Sequence, residues 1–317
     1  MAGEKKLAQL SPDKLSKNPE NPRLIFREED MDVLMRSIDQ VGIQVPLSVY
    51  QKGNKEKYVL IDGERRWRCA LKLGLPKVPV IIEPEPTPLE NLLMMFNIHN
   101  VRVQWDLMAL AVKIDKVRSL FLKEQKRALT KTELADLTGV STATITRCEE
   151  LLSLPQKYID IIWKELEKPK SEQKYTEDLF IEIKKSIRAI ENYLPEIIED
   201  YSPRKLLDIF FKKYESNVVS NRVEFRNISR VARGERVGVS KNKVLPILKK
   251  FIEIPEFTIQ ETYENSVADA YLERNYEKKI SDVILALSEI DPQMLDEQTT
   301  SLLIELRNLI DRLLKQR

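Results

Sequence analysis

Histidine and cysteine are rare in this sequence, and their scarcity excludes several kinds of chemistry. The 317 residues include one histidine, His99, and two cysteines, Cys69 and Cys148, which lie far apart. One histidine excludes a multi-histidine metal site and argues against a serine–histidine–aspartate triad. Two distant cysteines form neither a CxxC pair nor a disulfide framework, so a reducing cytoplasm is the expected compartment.

Glycine, long apolar runs and excess charge are also lacking. The 8 glycines are few for this length, which favours a mostly helical chain. No apolar run approaches the ~20 residues that span a bilayer, and the first residues lack the apolar stretch of a secretory signal. We therefore expect a cytoplasmic protein with no membrane partner. The 52 basic and 50 acidic residues give a net charge of +2, so any basic surface must be local.

The N-terminal part of the chain predicts a small α+β domain. Apolar positions recur at helical spacing over residues 30–40 and again over 64–73. Three short β-rich runs, at 45–50, 58–61 and 78–82, are bounded by Gly, Pro, Asn or Asp and predict strands.

Beyond the stiff segment PEPTP the pattern becomes helical and remains so to the end of the chain. The charged stretch 165–178 is low in apolar residues and predicts a solvated linker. The chain is long enough for two or three domains. We place them at 1–86, 87–165 and 166–317, the first α+β and the others mostly helical.

Residues 129–155 read LTKTELADLTGVSTATITRCEELLSLP and predict a helix-turn-helix. Thr130 or Thr132 can cap the first helix, Gly139 supplies the positive φ of a tight turn, and Ser141 can cap the second helix. The start of the second helix then presents small polar side chains, as a recognition helix does. The predicted DNA contacts are Lys131, Ser141, Thr142, Ala143, Thr144, Thr146 and Arg147. The alternative is an ordinary two-helix hairpin in a bundle.

The segment IDGERRWR, residues 61–68, predicts a phosphate site. Gly63 allows close approach of the backbone, the free N–H groups of the following helix face an anion, and three arginines add charged donors. The sequence has neither a G-x-x-x-x-G-K-[ST] loop nor a G-x-G-x-x-G fingerprint, so any nucleotide is held differently. The alternative is a surface cluster of ion pairs.

GERRWRCALKLGLPKVPVII resembles the signature segment of the ParB-type chromosome and plasmid partition proteins, whose N-terminal fold is related to sulfiredoxin. SPDKLSKNPENPRLIF (11–26) and GIQVPLSV (42–49) are similar to two further segments of that family, and the helix-turn-helix follows at the family's usual distance. The resemblance covers residues 8–160. It implies a CTP-binding N-terminal domain, a homodimer that forms a clamp on double-stranded DNA, an association with the nucleoid or a plasmid, and a ParA-like ATPase partner.

The resemblance also assigns roles to residues of this sequence. Glu64 would be the catalytic residue for hydrolysis of the nucleotide. The residues that would contact CTP are Arg23, Gly42, Gly63, Glu64, Arg65, Arg66 and Asn100. In the family's next segment an acidic residue near Mg²⁺ is replaced here by His99. Neutral imidazole is a poor ligand for a hard cation, which argues against Mg²⁺-dependent hydrolysis and predicts at most a weak CTPase.

The C-terminal half adds two features that stay open. Residues 222–250 contain nine basic and two acidic residues, which suits either a second phosphate-binding surface or a solvated helical face. Near the end, Leu303, Leu306, Ile310 and Leu313 have the 3-4-3 spacing of a coiled-coil seam or of a helix packed in its own domain.

Two other functions remain as alternatives. One is a helix-turn-helix transcription regulator on the same scaffold that does not respond to a nucleotide. The other is a phosphotransferase or nuclease on the ParB-like fold, which needs a cluster of metal-binding carboxylates that the sequence does not show. A sulfiredoxin-like chemistry would need a cysteine in the phosphate loop, whereas Cys69 lies on the following helix and is expected to pack in the core.

Overall fold

The computed structural model describes residues 5–21, 26, 28–53, 57–99, 106–291 and 295–315. The chain divides into two compact units, residues 1–184 and 185–317. In the described part of the chain no helix is both long and apolar enough to cross a membrane.

The first unit begins with a mixed five-stranded sheet in the order β1-β5-β3-β4-β2. Its strands are β1 Lys6–Leu10, β2 Leu15–Ser16, β3 Leu47–Gln51, β4 Tyr58–Asp62 and β5 Val78–Glu83. β3 pairs parallel to β5 and antiparallel to β4. The three strands predicted from the sequence are therefore the three central ones. The edge strands β1 and β2 were not predicted, because β1 exposes most of its side chains and β2 has two residues.

Two helices, α1 Glu28–Val41 and α2 Glu64–Lys72, pack together in the α+β domain. Met31 and Ile38 of α1 form a small apolar core with Cys69 of α2. Cys69 is fully buried, its thiol donates to the carbonyl of Met31 at 3.8 Å, and burial raises its pKa. The structure thus confirms that Cys69 is a core residue.

Six helices complete the first unit and lead into the second. They are α3 Pro88–His99, α4 Leu107–Gln125, α5 Lys131–Thr138, α6 Thr142–Leu152, α7 Gln156–Leu166 and α8 Glu177–Tyr193. Phe96, Ile114, Leu134 and Ile145 form the core of α3 to α6. The predicted fold class, an α+β domain followed by mostly helical regions, is confirmed.

The predicted linker at 165–178 is more structured than its composition suggests. The carboxylate of Glu165 is buried and accepts hydrogen bonds from the backbone N–H groups of Lys174 at 2.6 Å and Tyr175 at 3.2 Å. This contact folds the connection back onto the end of α7, while its charged tip, residues 167–172, remains exposed.

The second unit is helical throughout its described residues. Its helices are α9 Pro195–Asp200, α10 Pro203–Glu215, α11 Phe225–Ala232, α12 Lys241–Glu253, α13 Ile259–Glu264, α14 Ala268–Ser288 and α15 Glu297–Lys315. Phe210 lies at the centre of the core, 5.8 Å from Phe225 and 5.4 Å from Phe251 between ring centroids. The buried ammonium of Lys213 donates to the carbonyls of Ile254, Pro255 and Phe257, at 2.8 to 2.9 Å.

The contact between α8 and α4 depends on one carboxyl group. Glu177, the first residue of α8, accepts a hydrogen bond from the backbone N–H of Met108 at 2.6 Å, near the start of α4. Burial raises the pKa of Glu177 to about 7, and the neighbouring carboxylates Asp106 and Asp178 add to the increase. Glu177 therefore takes up a proton near neutral pH in the folded protein.

This shift predicts a pH dependence of stability. The ordinary pKa of 4.5 is lower than the folded value of about 7, so the folded state binds more protons in this range. The free energy of unfolding should then fall by about 2 kcal/mol between pH ~5.5 and pH ~8. Glu177→Gln keeps an oxygen acceptor for Met108 and removes the titrating group, so it should be more stable at the higher pH and lose this slope.

Urea unfolding of the full chain at a series of pH values measures the effect. Glu167→Gln, at an exposed position of the same connection, is the matched control and should keep the slope of the parent protein. An unchanged slope in Glu177→Gln would show that this carboxyl does not titrate near neutral pH.

Candidate functional site

The loop between β4 and α2 has the geometry of an anion site. Gly63 adopts φ +96°, and a Cβ there would approach Leu47 Cγ at 2.9 Å and the guanidinium of Arg66 at 3.1 Å. Only glycine fits this position without displacing one of them. No side chain caps the start of α2, which leaves the positive end of the helix available to an anion.

Arg66 joins this loop to the turn before β3. Its Nη2 lies 2.8 Å from Asp62 Oδ2, and its Nη1 donates to the carbonyls of Val45 and Pro46, the latter at 3.0 Å. Gly42, with φ +71°, ends α1 at the start of the same turn. The structure therefore brings Gly63 and Arg66 together, and Arg66 is held in place by protein groups that include the turn following Gly42.

Glu64 is buried and engaged on both oxygens. Its Oε1 accepts from Arg68 Nε at 2.9 Å and Nη2 at 2.5 Å, and its Oε2 accepts from Asn21 Nδ2 at 2.6 Å. The guanidinium of Arg68 also lies 3.9 Å from the centroid of the Phe26 ring. The predicted catalytic carboxylate is thus part of a closed ion-pair network.

Arg65 has a buried side-chain nitrogen that no described group binds. Its Nη2 donates to the carbonyl of Asp30 at 2.5 Å, while its Nε is buried and has no hydrogen-bond partner among the described residues. A buried unpaired donor beside an uncapped helix start fits a phosphate group. The described residues do not form a metal site, because they contain no group of three or more His, Cys, Asp or Glu side chains that could hold a metal ion.

Two of the predicted nucleotide contacts, Arg23 and Asn100, lie outside the described residues. For His99 the structure describes the backbone at the end of α3 and not the side chain. Asp62 and Asn21 were missed by sequence reasoning. The i,i+4 spacing of Asp62 and Arg66 could have indicated the first, whereas no local pattern pairs Asn21 with Glu64.

The loop of residues 18–21 connects the anion site to the helices that follow. Asn18 and Asn91 of α3, both buried, form a reciprocal amide pair with N···O distances of 2.9 and 3.3 Å. Glu20 binds two lysines of α4, Lys116 at 2.6 Å and Lys113 at 3.5 Å. Burial lowers the pKa of Lys113, and the charge of Glu20 opposes this effect.

The predicted helix-turn-helix is formed by α5 and α6. Thr130 caps α5 in a capping box with Glu133, and Gly139 adopts φ +67° in the turn. Ser141 caps α6, its Oγ accepting from the N–H of Thr144 at 3.1 Å. Ile145 is fully buried against the core that α4 shares with α6. The predicted caps, turn and inward face are therefore all present.

The predicted DNA contacts differ in solvent exposure and in whether they already form ion pairs. Ser141, Thr142 and Ala143 are exposed, and Thr144, Thr146 and Arg147 are half-buried. Arg147 forms an ion pair with Asp178 at 2.5 Å.

Glu149 forms ion pairs with Lys131, another of the predicted DNA contacts, and with Arg118. Lys131 lies 2.7 Å from Glu149, whose other oxygen is 2.5 Å from Arg118. Lys131 also donates to Thr146 Oγ1 at 3.3 Å. Two cations therefore offset the negative charge of Glu149.

Comparison with known proteins gives several matches to ParB-type proteins. Residues 1–100 match the family model of the ParB N-terminal domain. The chain is 32% identical over 146 residues to the chromosome-partitioning protein ParB of Caulobacter vibrioides, covering 45% of each chain. It is 29% identical over 150 residues to the nucleoid occlusion protein of Oceanobacillus iheyensis, covering 47% of this chain and 50% of that protein.

These matches span about half the length of the curated relatives. A solved structure of a C-terminally truncated ParB from Caulobacter crescentus, complexed to the centromeric parS site, is 24% identical. It covers 71% of this chain and 98% of that one, at a TM-score of 0.43. The predicted resemblance to the ParB family is confirmed, because residues 1–100 match the model of its N-terminal domain.

Proposed function

We propose that this chain is a ParB-like DNA-binding protein that acts in chromosome or plasmid partition. The observation that carries the proposal is the exposed first turn of α6, at Ser141, Thr142 and Ala143, in a complete helix-turn-helix that follows a ParB N-terminal domain. The curated relatives named for chromosome partitioning match 146 and 152 residues of this chain, more than the N-terminal domain alone.

The arrangement of α6 suits the major groove of double-stranded DNA. Small hydroxyl and methyl groups at its start can approach base edges, and the positive end of the helix favours a phosphate. Arg118 and Lys131 neutralise Glu149 further along the helix, which lowers the repulsion that its carboxylate would exert on the DNA backbone. Only the first turns of α6 then need to enter the groove.

The N-terminal domain is proposed to bind CTP through its phosphates. The uncapped start of α2, the close backbone at Gly63 and the unpaired Nε of Arg65 supply donors for them. Arg66 would hold the turn at Gly42–Pro46 in position beside the nucleotide, since its donors are already used by protein groups. Arg23 and Asn100 remain proposed contacts.

Hydrolysis of the nucleotide is proposed to be weak or absent. When bound, Mg²⁺ would offset charge on the phosphates, but the acidic position expected near it carries His99. Glu64 could act on water only after releasing Arg68 or Asn21, which now occupy its oxygens. CTP would then act mainly as a switch for closing a clamp on DNA.

A second copy of this chain is the proposed partner of α14 and α15. These two helices bury no residue in the described structure. On α14 five of the exposed apolar residues recur at 4-4-3-4 spacing, Leu272, Tyr276, Ile280, Val283 and Leu287, and Ile284 and Leu285 are exposed beside them. On α15 the predicted seam at Leu303, Leu306, Ile310 and Leu313 is exposed or half-buried. Such stripes favour pairing between helices of two protomers over packing within one. A ParA-like ATPase and a cytoplasmic position on the nucleoid or a plasmid complete the proposal.

Chromatin immunoprecipitation of the full-length protein in its host tests the proposal as a whole. A broad profile that spreads from one site is expected for a sliding clamp. Isolated narrow peaks would instead support the transcription regulator, and absence of enrichment would contradict DNA binding altogether.

Contact by α6 predicts the behaviour of one substitution. Ala143→Glu adds a carboxylate at the exposed start of α6 and should weaken binding to the site found by immunoprecipitation by about tenfold to 100-fold. Fluorescence anisotropy with a labelled duplex measures the loss. Ser171→Glu adds the same charge at an exposed loop position and should bind as the parent does. Equal affinities of Ala143→Glu and the parent would remove α6 from the interface.

Binding of CTP predicts a second result. Arg65→Ala removes the guanidinium whose Nε is unpaired and should raise the dissociation constant for CTP by about tenfold or more, because charged hydrogen bonds are lost. Isothermal titration of the full chain, with and without its DNA site, measures this constant. Arg36→Ala, an exposed arginine of α1, is the control and should leave it unchanged. No heat of binding under either condition would refute the nucleotide switch while leaving DNA binding intact.

A further inference from the structure

The basic run of residues 222–250 separates into two kinds of charge in the folded second unit. At its C-terminal end, Lys241 lies 3.0 Å from Glu196 and Lys249 lies 2.6 Å from Asp200. These two lysines are therefore neutralised by carboxylates of α9. The exposed arginines of α11 and the turn after it behave differently.

Arg230, Arg233 and Arg236 form no ion pair with any carboxylate of the described residues. All three side chains are exposed. Their nearest acidic neighbour in sequence, Glu235, is also exposed and reduces the local excess by one charge. The structure thus leaves a net positive surface in a chain whose overall charge is almost zero.

Aromatic rings hold these guanidinium groups in place. Arg233 and Arg236 lie 5.7 and 4.8 Å from the ring centroid of Tyr193. Arg230 lies 6.0 and 5.9 Å from the rings of Tyr263 and Tyr271 and also donates to Asn227 Oδ1 at 3.2 Å. We call these three arginines and three tyrosines the arginine–tyrosine surface.

Backbone contacts fix the surface further. The hydroxyl of Tyr271 donates to the carbonyl of Arg230 at 3.2 Å, and Arg274 of α14 donates to the carbonyl of Arg236 at 2.6 Å. Arginines that rest on rings lose less side-chain freedom on binding, and their planar N–H groups match phosphate oxygens. The surface is pre-organised for an anion of repeated phosphate groups.

We infer that the arginine–tyrosine surface is a second, sequence-independent contact to the phosphate backbone of double-stranded DNA. Phosphates of one strand follow each other every ~3.4 Å along the duplex axis, so a row of arginines can meet neighbouring phosphates. Double-stranded rather than single-stranded DNA is favoured, since arginines already cover ring faces on which free bases would stack. The inference rests on the proposed function, because the helix-turn-helix delivers the chain to DNA.

The test uses the full chain and a duplex of random sequence of about 40 bp, over a range of salt concentrations near 50 to 200 mM. The triple variant Arg230→Ala, Arg233→Ala, Arg236→Ala should bind about tenfold or more weakly at low salt. The slope of log K against log salt should fall by about 2 to 3, one for each lost phosphate contact. Removing three exposed charges elsewhere in the same unit, with Arg204→Ala, Lys212→Ala and Lys250→Ala, should change the slope less.

Circular dichroism and thermal unfolding check that the triple variant is folded. If it is not, the single variant Arg233→Ala replaces it, with an expected fall in slope of about one. An unchanged slope in the folded variant would overturn the inference. So would a loss of binding to poly-glutamate or phosphatidylglycerol vesicles without loss of binding to DNA, which would identify an acidic polypeptide or a membrane as the partner.

A cross with Ala143→Glu separates this inference from the proposed function. Ala143→Glu should lose the specific site while random DNA still binds, whereas the arginine variant should lower the salt slope on both duplexes. If Ala143→Glu behaves as expected and the arginine variant binds as the parent does, only the second contact is wrong. If the parent protein binds neither duplex, both ideas fail.

Discussion

Glu64 places a negative charge in the interior of the N-terminal domain, and burying a carboxylate costs several kcal/mol unless cations and hydrogen bonds compensate it. The start of α2, Arg68 and Asn21 together supply that compensation. Because Asn21 belongs to the loop before α1, neutralising one charge also fixes a segment with little apolar content of its own. The loop between β4 and α2 and the loop of residues 18–21 are therefore stabilised by the same network.

From that loop the contacts continue into the helices. Asn18 pairs with Asn91 of α3, Glu20 holds Lys113 and Lys116 of α4, and α4 packs against the recognition helix α6. The geometry thus connects the start of α2 to α4 and α6 through polar contacts.

How far the sequence predicts this structure depends on the range of each interaction. Thr130, Gly139 and Ser141 act within one turn of helix, so their roles in the helix-turn-helix could be predicted, and so could the close backbone approach at Gly63. Partners far apart in sequence could not. Nothing local indicates that Glu64 meets Asn21, or that Arg147 and Lys131, predicted as free DNA contacts, are ion-paired to Asp178 and Glu149. Edge strands such as β1 could not be predicted either. Most of their side chains are exposed, so the sequence lacks the alternation of apolar and polar residues that indicates a strand.

Net charge is a poor guide to nucleic-acid binding in such a chain, because what matters is how many cations lack a carboxylate partner. Lys241 and Lys249 count toward the basic run in the sequence, yet α9 neutralises both. Arg230, Arg233 and Arg236 lie on tyrosine rings, and a ring leaves the positive charge intact while restricting its motion. Tyrosine thus does for these arginines what a carboxylate could not: it orders the side chain without neutralising the charge. A chain with 52 basic and 50 acidic residues can therefore bind a polyanion strongly where aromatic partners replace acidic ones.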